Sequence, residues 1–226
     1  MNLDDITLLT VSFNNNILTG MMLKSFRKQC GRLPNDVVIV DNGTTFPIDD
    51  TLRKIFTIVD NYQHQLLPDE HQPSRNHGAA IDFALKHVIH TKWCLLVDND
   101  ILYKPSLRSF LSKIDDTYDI YGEIGWDITP PDRLFPYFCL INTEKFNTEG
   151  RNYFVRNRYI SYCMPNCHDI TVHNHHDTGC SFYEDIYRTW SIYNINMDDY
   201  MVHLKGGMLK HKNIYKWFDE HRELIM

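Results

Sequence analysis

Asp98 and Asp100 stand two residues apart at the end of the run Lys92-Trp93-Cys94-Leu95-Leu96-Val97-Asp98-Asn99-Asp100-Ile101. On an extended backbone, that spacing sends both carboxylates to the same side. Two hard oxygen ligands at the mouth of a buried strand suit a divalent cation such as Mg²⁺ or Mn²⁺ that holds phosphates. The competing explanation is a polar turn that merely closes the strand, since Asp and Asn favour turns. A second group of ligand-type residues, Cys163, Cys167, His168, His173, His175, His176 and Cys180, is concentrated in one polar segment. It could build a structural zinc site, but it lacks the tight Cys-x2-Cys pairs of such sites, and cysteines that merely fill a core are the better explanation.

The elements around the two aspartates favour the cation. The runs Ile6–Phe13 and Asp36–Gly43 resemble Trp93–Ile101 in being nearly continuous Val, Ile and Leu. Such runs mark strands covered on both faces, as in parallel sheets. Between the first two, Ile17, Leu18, Met21, Met22 and Phe26 recur at helical spacing. Asn14, Asn15 and Asn16 offer N-caps to that helix and Gly31 offers a stop. A short helix over Asp50–Lys54, a strand over Phe56–Val59 and a helix over Ser74–His90 are expected next. The order β-α-β-α-β-α-β predicts an α/β fold with a mostly parallel, doubly wound central sheet and right-handed connections. Ligands in such sheets bind beyond the carboxyl ends of the strands. Ser12-Phe13-Asn14, Asp41-Asn42-Gly43 and Asp98-Asn99-Asp100 should therefore line one crevice.

With Arg75-Asn76-His77-Gly78-Ala79-Ala80, these pieces resemble, in order and spacing, the nucleotide-sugar glycosyltransferases of the GT-A fold, of the family 2 type. The resemblance covers roughly the first 105 residues well and the rest loosely. It implies one Rossmann-like domain over 1–226, with a nucleotide-sugar-binding half at 1–104, an acceptor-binding half at 105–226 and a smaller mixed sheet on the acceptor side. The implied reaction is metal-dependent transfer of a sugar from a nucleoside-diphosphate donor, UDP foremost, to a glycan or other hydroxyl, with inversion. Asp41 would read the base imide and Phe13 would stack on the base, an aromatic face being a planar platform. Ser12, Asn14, Asn76, Gly78 and Asn99 would line the donor site. Asp100 would hold Mn²⁺ or Mg²⁺ directly, and Asp98 would reach the ribose or a metal-bound water. Arg75 would help hold the phosphates, although a solvated arginine at a helix start looks the same.

Farther along, His203 in Met201-Val202-His203-Leu204-Lys205-Gly206-Gly207 resembles the histidine that completes metal or diphosphate binding in many GT-A enzymes. Imidazole is an acceptable third ligand beside carboxylates. Lys205, Lys210 and His211 could add positive charge to a flap over the donor. Asp177, before a helical stretch reaching Trp190, matches the acidic residue that often serves as catalytic base, with Glu184 and Asp185 as weaker candidates. A helix N-cap explains Asp177 as well. The chain departs here from the Glu-Asp pair common in family 2 enzymes.

Two other function classes compete. A sugar-1-phosphate nucleotidyltransferase would open with a glycine-rich basic loop, unlike Ser12-Phe13-Asn14-Asn15-Asn16. A non-catalytic binding module could keep the fold without the activity. At 226 residues the chain is long enough for one substantial core. A net charge of −6 excludes a general nucleic-acid grip. No apolar run approaches a membrane span, and Met1-Asn2-Leu3-Asp4-Asp5 lacks the basic start of a signal peptide, so a cytoplasmic location is expected. The six scattered cysteines read as reduced thiols. In the second half, a helix is expected over Pro105–Ile114 and strands over Ile120–Ile128 and Tyr137–Ile141, separated by Thr129–Arg133. Residues 143–176 read as an irregular acceptor loop.

Overall fold

The architecture comes from a computed structural model, which describes residues 2–43, 48–60, 73–125, 133–151, 160–162, 171–173, 180–204 and 214–226. Its first half follows the expected order: β1 (Ile6–Ser12), α1 (Asn16–Cys30), β2 (Asp36–Asp41), α2 (Asp50–Arg53), β3 (Thr57–Asp60), α3 (Pro73–His87) and β4 (Trp93–Asp98). Local chemistry sets the ends of α1. Asn15 Oδ1 accepts from the Leu18 amide, and Gly31 closes the helix at φ 83°. Helix α3 stops at His87, short of the expected His90.

Beyond β4 come β5 (Ile101–Tyr103), α4 (Ser106–Lys113), β6 (Ile120–Gly125), β7 (Arg133–Asn142), α5 (Thr143–Thr148), β8 (Ile160–Tyr162) and β9 (Thr171–His173). The chain continues with α6 (Cys180–Ile186), β10 (Ile192–Asn194), β11 (Met201–His203) and α7 (Ile214–Glu220).

Seven strands form the central sheet in the order β10-β6-β7-β4-β1-β2-β3. All neighbours are parallel except β7, which runs against both β4 and β6. Alternation along each strand feeds two apolar layers. Leu8, Ile39, Leu95 and Leu140 pack with Met22 and Phe26 of α1 and Phe110 of α4. Leu9, Val38, Leu96 and Ile141 pack with Ala80 and Ala84 of α3, Phe146 of α5 and Phe182 of α6. The sheet is thus doubly wound, because the inner strands β1, β2, β4 and β7 find apolar cover on both faces. Cys30, Cys94 and Cys139 are free thiols in these layers, and burial pushes the Cys30 thiol up to about 12. Among the described residues, no helix is long and apolar enough to cross a membrane.

The second half departs from expectation in several places. Strands β6, β7 and β10 extend the central sheet, because β7 is apolar enough to be buried on both faces. The smaller sheets are two antiparallel ribbons, β5 with β11 and β8 with β9. Strand β7 begins at Arg133, four residues before the expected start, whereas residues 126–132 lie outside the described ones. The 143–176 segment, expected to be irregular, contains α5, β8 and β9. Helix α6 ends at Ile186, short of Trp190.

Candidate active site

Strand β4 stops at Asp98, and Asn99 and Asp100 form the turn into β5. The pleat of one strand therefore does not align the two aspartates, contrary to the sequence expectation. The turn and the β5–β11 ribbon align them instead. Antiparallel pairing sets His203 opposite Ile101, and the Leu204 amide donates to the Asp100 carbonyl at 2.9 Å. His203 Nε2 consequently lies 3.1 Å from Asp100 Oδ1. One ligand atom from each of Asp98, Asp100 and His203 fits within 4.8 Å of the others.

A buried polar network holds this turn from beneath. The Asn99 amide donates to Thr19 Oγ1 at 3.2 Å, and that hydroxyl lies 3.2 Å from Ser12 Oγ. All three side chains are buried, and buried polar groups keep their partners because an unmade bond is costly there. Ser12 and Asn99 were expected to face a donor. The structure turns both side chains inward, where they fasten the end of β1, the start of α1 and the 98–100 turn to one another.

Asp41, at the end of β2, is 1% exposed. Its Oδ1 accepts from the Gly43 amide at 2.9 Å and its Oδ2 from the Ile48 amide at 2.8 Å, with Arg53 Nη2 3.5 Å from Oδ2. The carboxylate that was expected to read a base is engaged with the protein's own amides, and it ties down both ends of the loop after β2. Phe13, in contrast, is 48% exposed beyond the end of β1. Asn14 follows it at φ 53° and packs so closely on Gly43 that a Cβ there would sit 2.6 Å from Asn14 Oδ1.

Helix α3 presents its first turns to the same crevice. The Asn42 side-chain amide donates to the Asn76 carbonyl at 3.2 Å, and Gly78 is buried. His77 Nε2 lies 3.6 Å from Asp98 Oδ1. Arg75 is on the first turn of α3, and its side chain is outside the described residues, as are those of Glu184 and Cys180 on α6 and His173 on β9. Asp185 is half-buried on α6. Asp177, Lys205, Lys210, His211, Cys163, Cys167, His168, His175 and His176 lie outside the described residues.

Three contributors were not singled out by sequence reasoning. His77 lies within Arg75–Ala80, where neighbouring Arg75, Asn76 and Gly78 carry the resemblance. Thr19 was one of the residues inside a helix. Tyr137, whose ring lies flat on His203 at 4.7 Å and 7°, gave no local signal.

No protein-family model matches the sequence, and no curated protein matches it. Solved structures with a similar fold include the galactosyltransferase LgtC in complex with donor and acceptor sugar analogues. It is 14% identical over 63% of this chain and 59% of that one, with a TM-score of 0.46. S. aureus TarS 1–349 is 16% identical over 66% of this chain and 50% of that one, with a TM-score of 0.43. The mannosyltransferase PcManGT from Pyrobaculum calidifontis, in complex with GDP-Man and Mn²⁺, is 16% identical over 65% and 46%, with a TM-score of 0.44. The match spans about half to three fifths of the length of these proteins.

Proposed function

We propose that the chain is a metal-dependent glycosyltransferase of the GT-A type that moves a sugar from a nucleoside-diphosphate donor, with uridine as the nucleoside, to a hydroxyl acceptor with inversion. The observation that carries this reading is the meeting of Asp98, Asp100 and His203 within 4.8 Å at the carboxyl mouth of a parallel sheet. Two hard carboxylates and one borderline imidazole suit Mn²⁺ or Mg²⁺. Asp98, Asp100 and His203 would hold that cation, which supplies charge neutralisation for a departing diphosphate.

The protein's own residues do the rest. Phe13 offers its exposed face to the base. Asp41 serves the base indirectly, because it holds Gly43, which packs on Asn14 next to Phe13. Gly78 and Asn76, at the start of α3, line the donor site, with Arg75 and Lys205 adding positive charge toward the phosphates. Asp177 removes the acceptor proton, and a cytoplasmic location accompanies this reading.

The test is incubation of the protein with UDP-sugars and, in parallel, with other nucleoside-diphosphate sugars, each with Mn²⁺ and with excess EDTA. Release of UDP that requires Mn²⁺ is expected. Turnover undiminished in EDTA would sink the metal-dependent reading. For Asp177, the Asp177→Asn variant removes the proton-accepting carboxylate with almost no change in size. Donor affinity should hold while transfer falls by roughly 10²–10⁴-fold, the usual worth of a general base. Transfer at the wild-type rate would remove Asp177 from the reaction.

A further inference from the structure

A hydrogen bond from one ring nitrogen fixes the direction in which a histidine points and leaves the plane of its ring free to turn. The second torsion of histidine is broad, so packing has to choose the plane. At His203 the hydrogen-bond constraint is the 3.1 Å contact between Nε2 and Asp100 Oδ1. The second constraint is Tyr137, whose ring stacks on the imidazole with centroids 4.7 Å apart and planes 7° from parallel. Tyr137 is itself held. It packs against the large apolar layer beneath it, and Phe135 lies 4.9 Å away at 31°. The strand that carries it, β7, runs beside β4, which ends at Asp98. The last register pair is Val97 with Phe138, so the next step along both strands sets Tyr137 level with Asp98.

We propose that Tyr137 is the positioning residue for the third ligand of the metal site. Its ring fixes the plane of the His203 imidazole, so that Nε2 faces the same space as the Asp98 and Asp100 carboxylates. The inference rests on the metal-site reading of those three residues. Partners behind metal ligands commonly set ligand orientation and, through it, affinity. Ordinary core packing would be the only role of Tyr137 if its loss changed stability and left metal binding alone, so the two roles separate experimentally.

Mn²⁺ alone is titrated into the purified protein, and free Mn²⁺ is read by electron paramagnetic resonance. The variants are Tyr137→Phe, Tyr137→Leu, His203→Ala and the double variant Tyr137→Leu/His203→Ala, each checked for folding by thermal melting. Tyr137→Phe keeps the ring face and should bind Mn²⁺ like the wild type. Tyr137→Leu should weaken binding by about tenfold, the low end for loss of such a partner. In the His203→Ala background, Tyr137→Leu should have no further effect, because Tyr137 acts only through the imidazole. If Tyr137→Leu does not fold, Tyr137→Met, which also lacks a ring face, answers the same question. Wild-type affinity in the folded Leu or Met variant would overturn the proposal, as would an equal loss with and without His203. A wild-type protein that binds no Mn²⁺ would overturn the metal-site reading itself, a result distinct from either.

Discussion

Asp100 touches His203 through one carboxylate oxygen, whereas its backbone carbonyl holds the Leu204 amide. Asp100→Ala removes the first contact and keeps the second, so the β5–β11 ribbon should survive. We expect Mn²⁺-dependent donor turnover to fall by at least about a hundredfold, on the scale of the several kcal/mol that a catalytic cation supplies. A melting temperature near that of the wild type would show that the fold is intact, and retained turnover would remove Asp100 from the site. Asp41 behaves differently because both its oxygens accept buried amides. Asp41→Asn turns one acceptor into a donor that faces another donor. It should cost about 1–3 kcal/mol of stability, the scale for a buried hydrogen bond left unmade. Urea unfolding measures this, and UDP affinity should fall with it. A wild-type urea midpoint together with lost UDP affinity would show that Asp41 reads the base itself.

At the scale of elements, the ends of β1 and β2 meet at one side of the crevice. Gly43 meets the Asn14 side chain, and an added Cβ would also lie 3.0 Å from the Asn14 backbone nitrogen. The side chain can swing aside, but the backbone at Asn14, just after β1, cannot without opening the crevice. Gly43→Ala should therefore weaken nucleotide binding and cost about 1–3 kcal/mol, as overpacking does. Gly31→Ala is a control at the other end of α1, where φ is 83° and nothing crowds the Cβ. It should cost about 1 kcal/mol through backbone strain. It should leave nucleotide affinity unchanged, since a 15-residue helix separates the two positions by about 22 Å. Equal losses of nucleotide affinity in the two variants would show that the Gly43 effect is only global destabilisation.

For the molecule as a whole, the far end of the sheet is tied by Asp119. Its carboxylate accepts from the Lys145 ammonium at 2.7 Å and from the Ser191 amide and hydroxyl at 2.8 and 2.9 Å. Burial alone would raise its pKa, but the Lys145 and Ser191 donors outweigh that and hold it below the usual carboxylate range. A carboxyl with a lowered folded pKa contributes stability that is fully present above the unfolded value of about 3.9 and is lost as pH falls through the folded value. Asp119→Asn should thus be less stable than the wild type at about pH 7, and the gap should narrow toward about pH 3. Urea midpoints at the two pH values measure it, and a gap of the same size at both would show that the charge contributes nothing. The tie joins α5 to the chain just before β6 and β10, segments 26 and 72 residues apart in sequence that meet only when the second half of the chain has paired onto the sheet.

Helix α1 was legible almost to the residue because its signals are local: Asn15 caps it, Gly31 stops it, and its apolar residues repeat every turn. Strands β1, β2 and β4 were legible because residues buried on both faces leave a continuous apolar run. Their polar ends followed from the same runs, and so did the crevice that holds Asp98, Asp100 and Phe13. His203 entered through a resemblance, since nothing local to residue 203 points to residue 100. Tertiary structure alone decided the rest. It turned Ser12 and Asn99 into a buried network with Thr19, engaged both oxygens of Asp41 with its own loop, and inserted β7 antiparallel between β4 and β6. It also set Tyr137 against His203, 66 positions along the chain. Hydrophobic period and capping act over a few residues, so a sequence displays them directly. Strand register, and which way a polar side chain turns at a strand end, depend on partners tens of residues away, and they are settled only when both apolar layers of the sheet are filled.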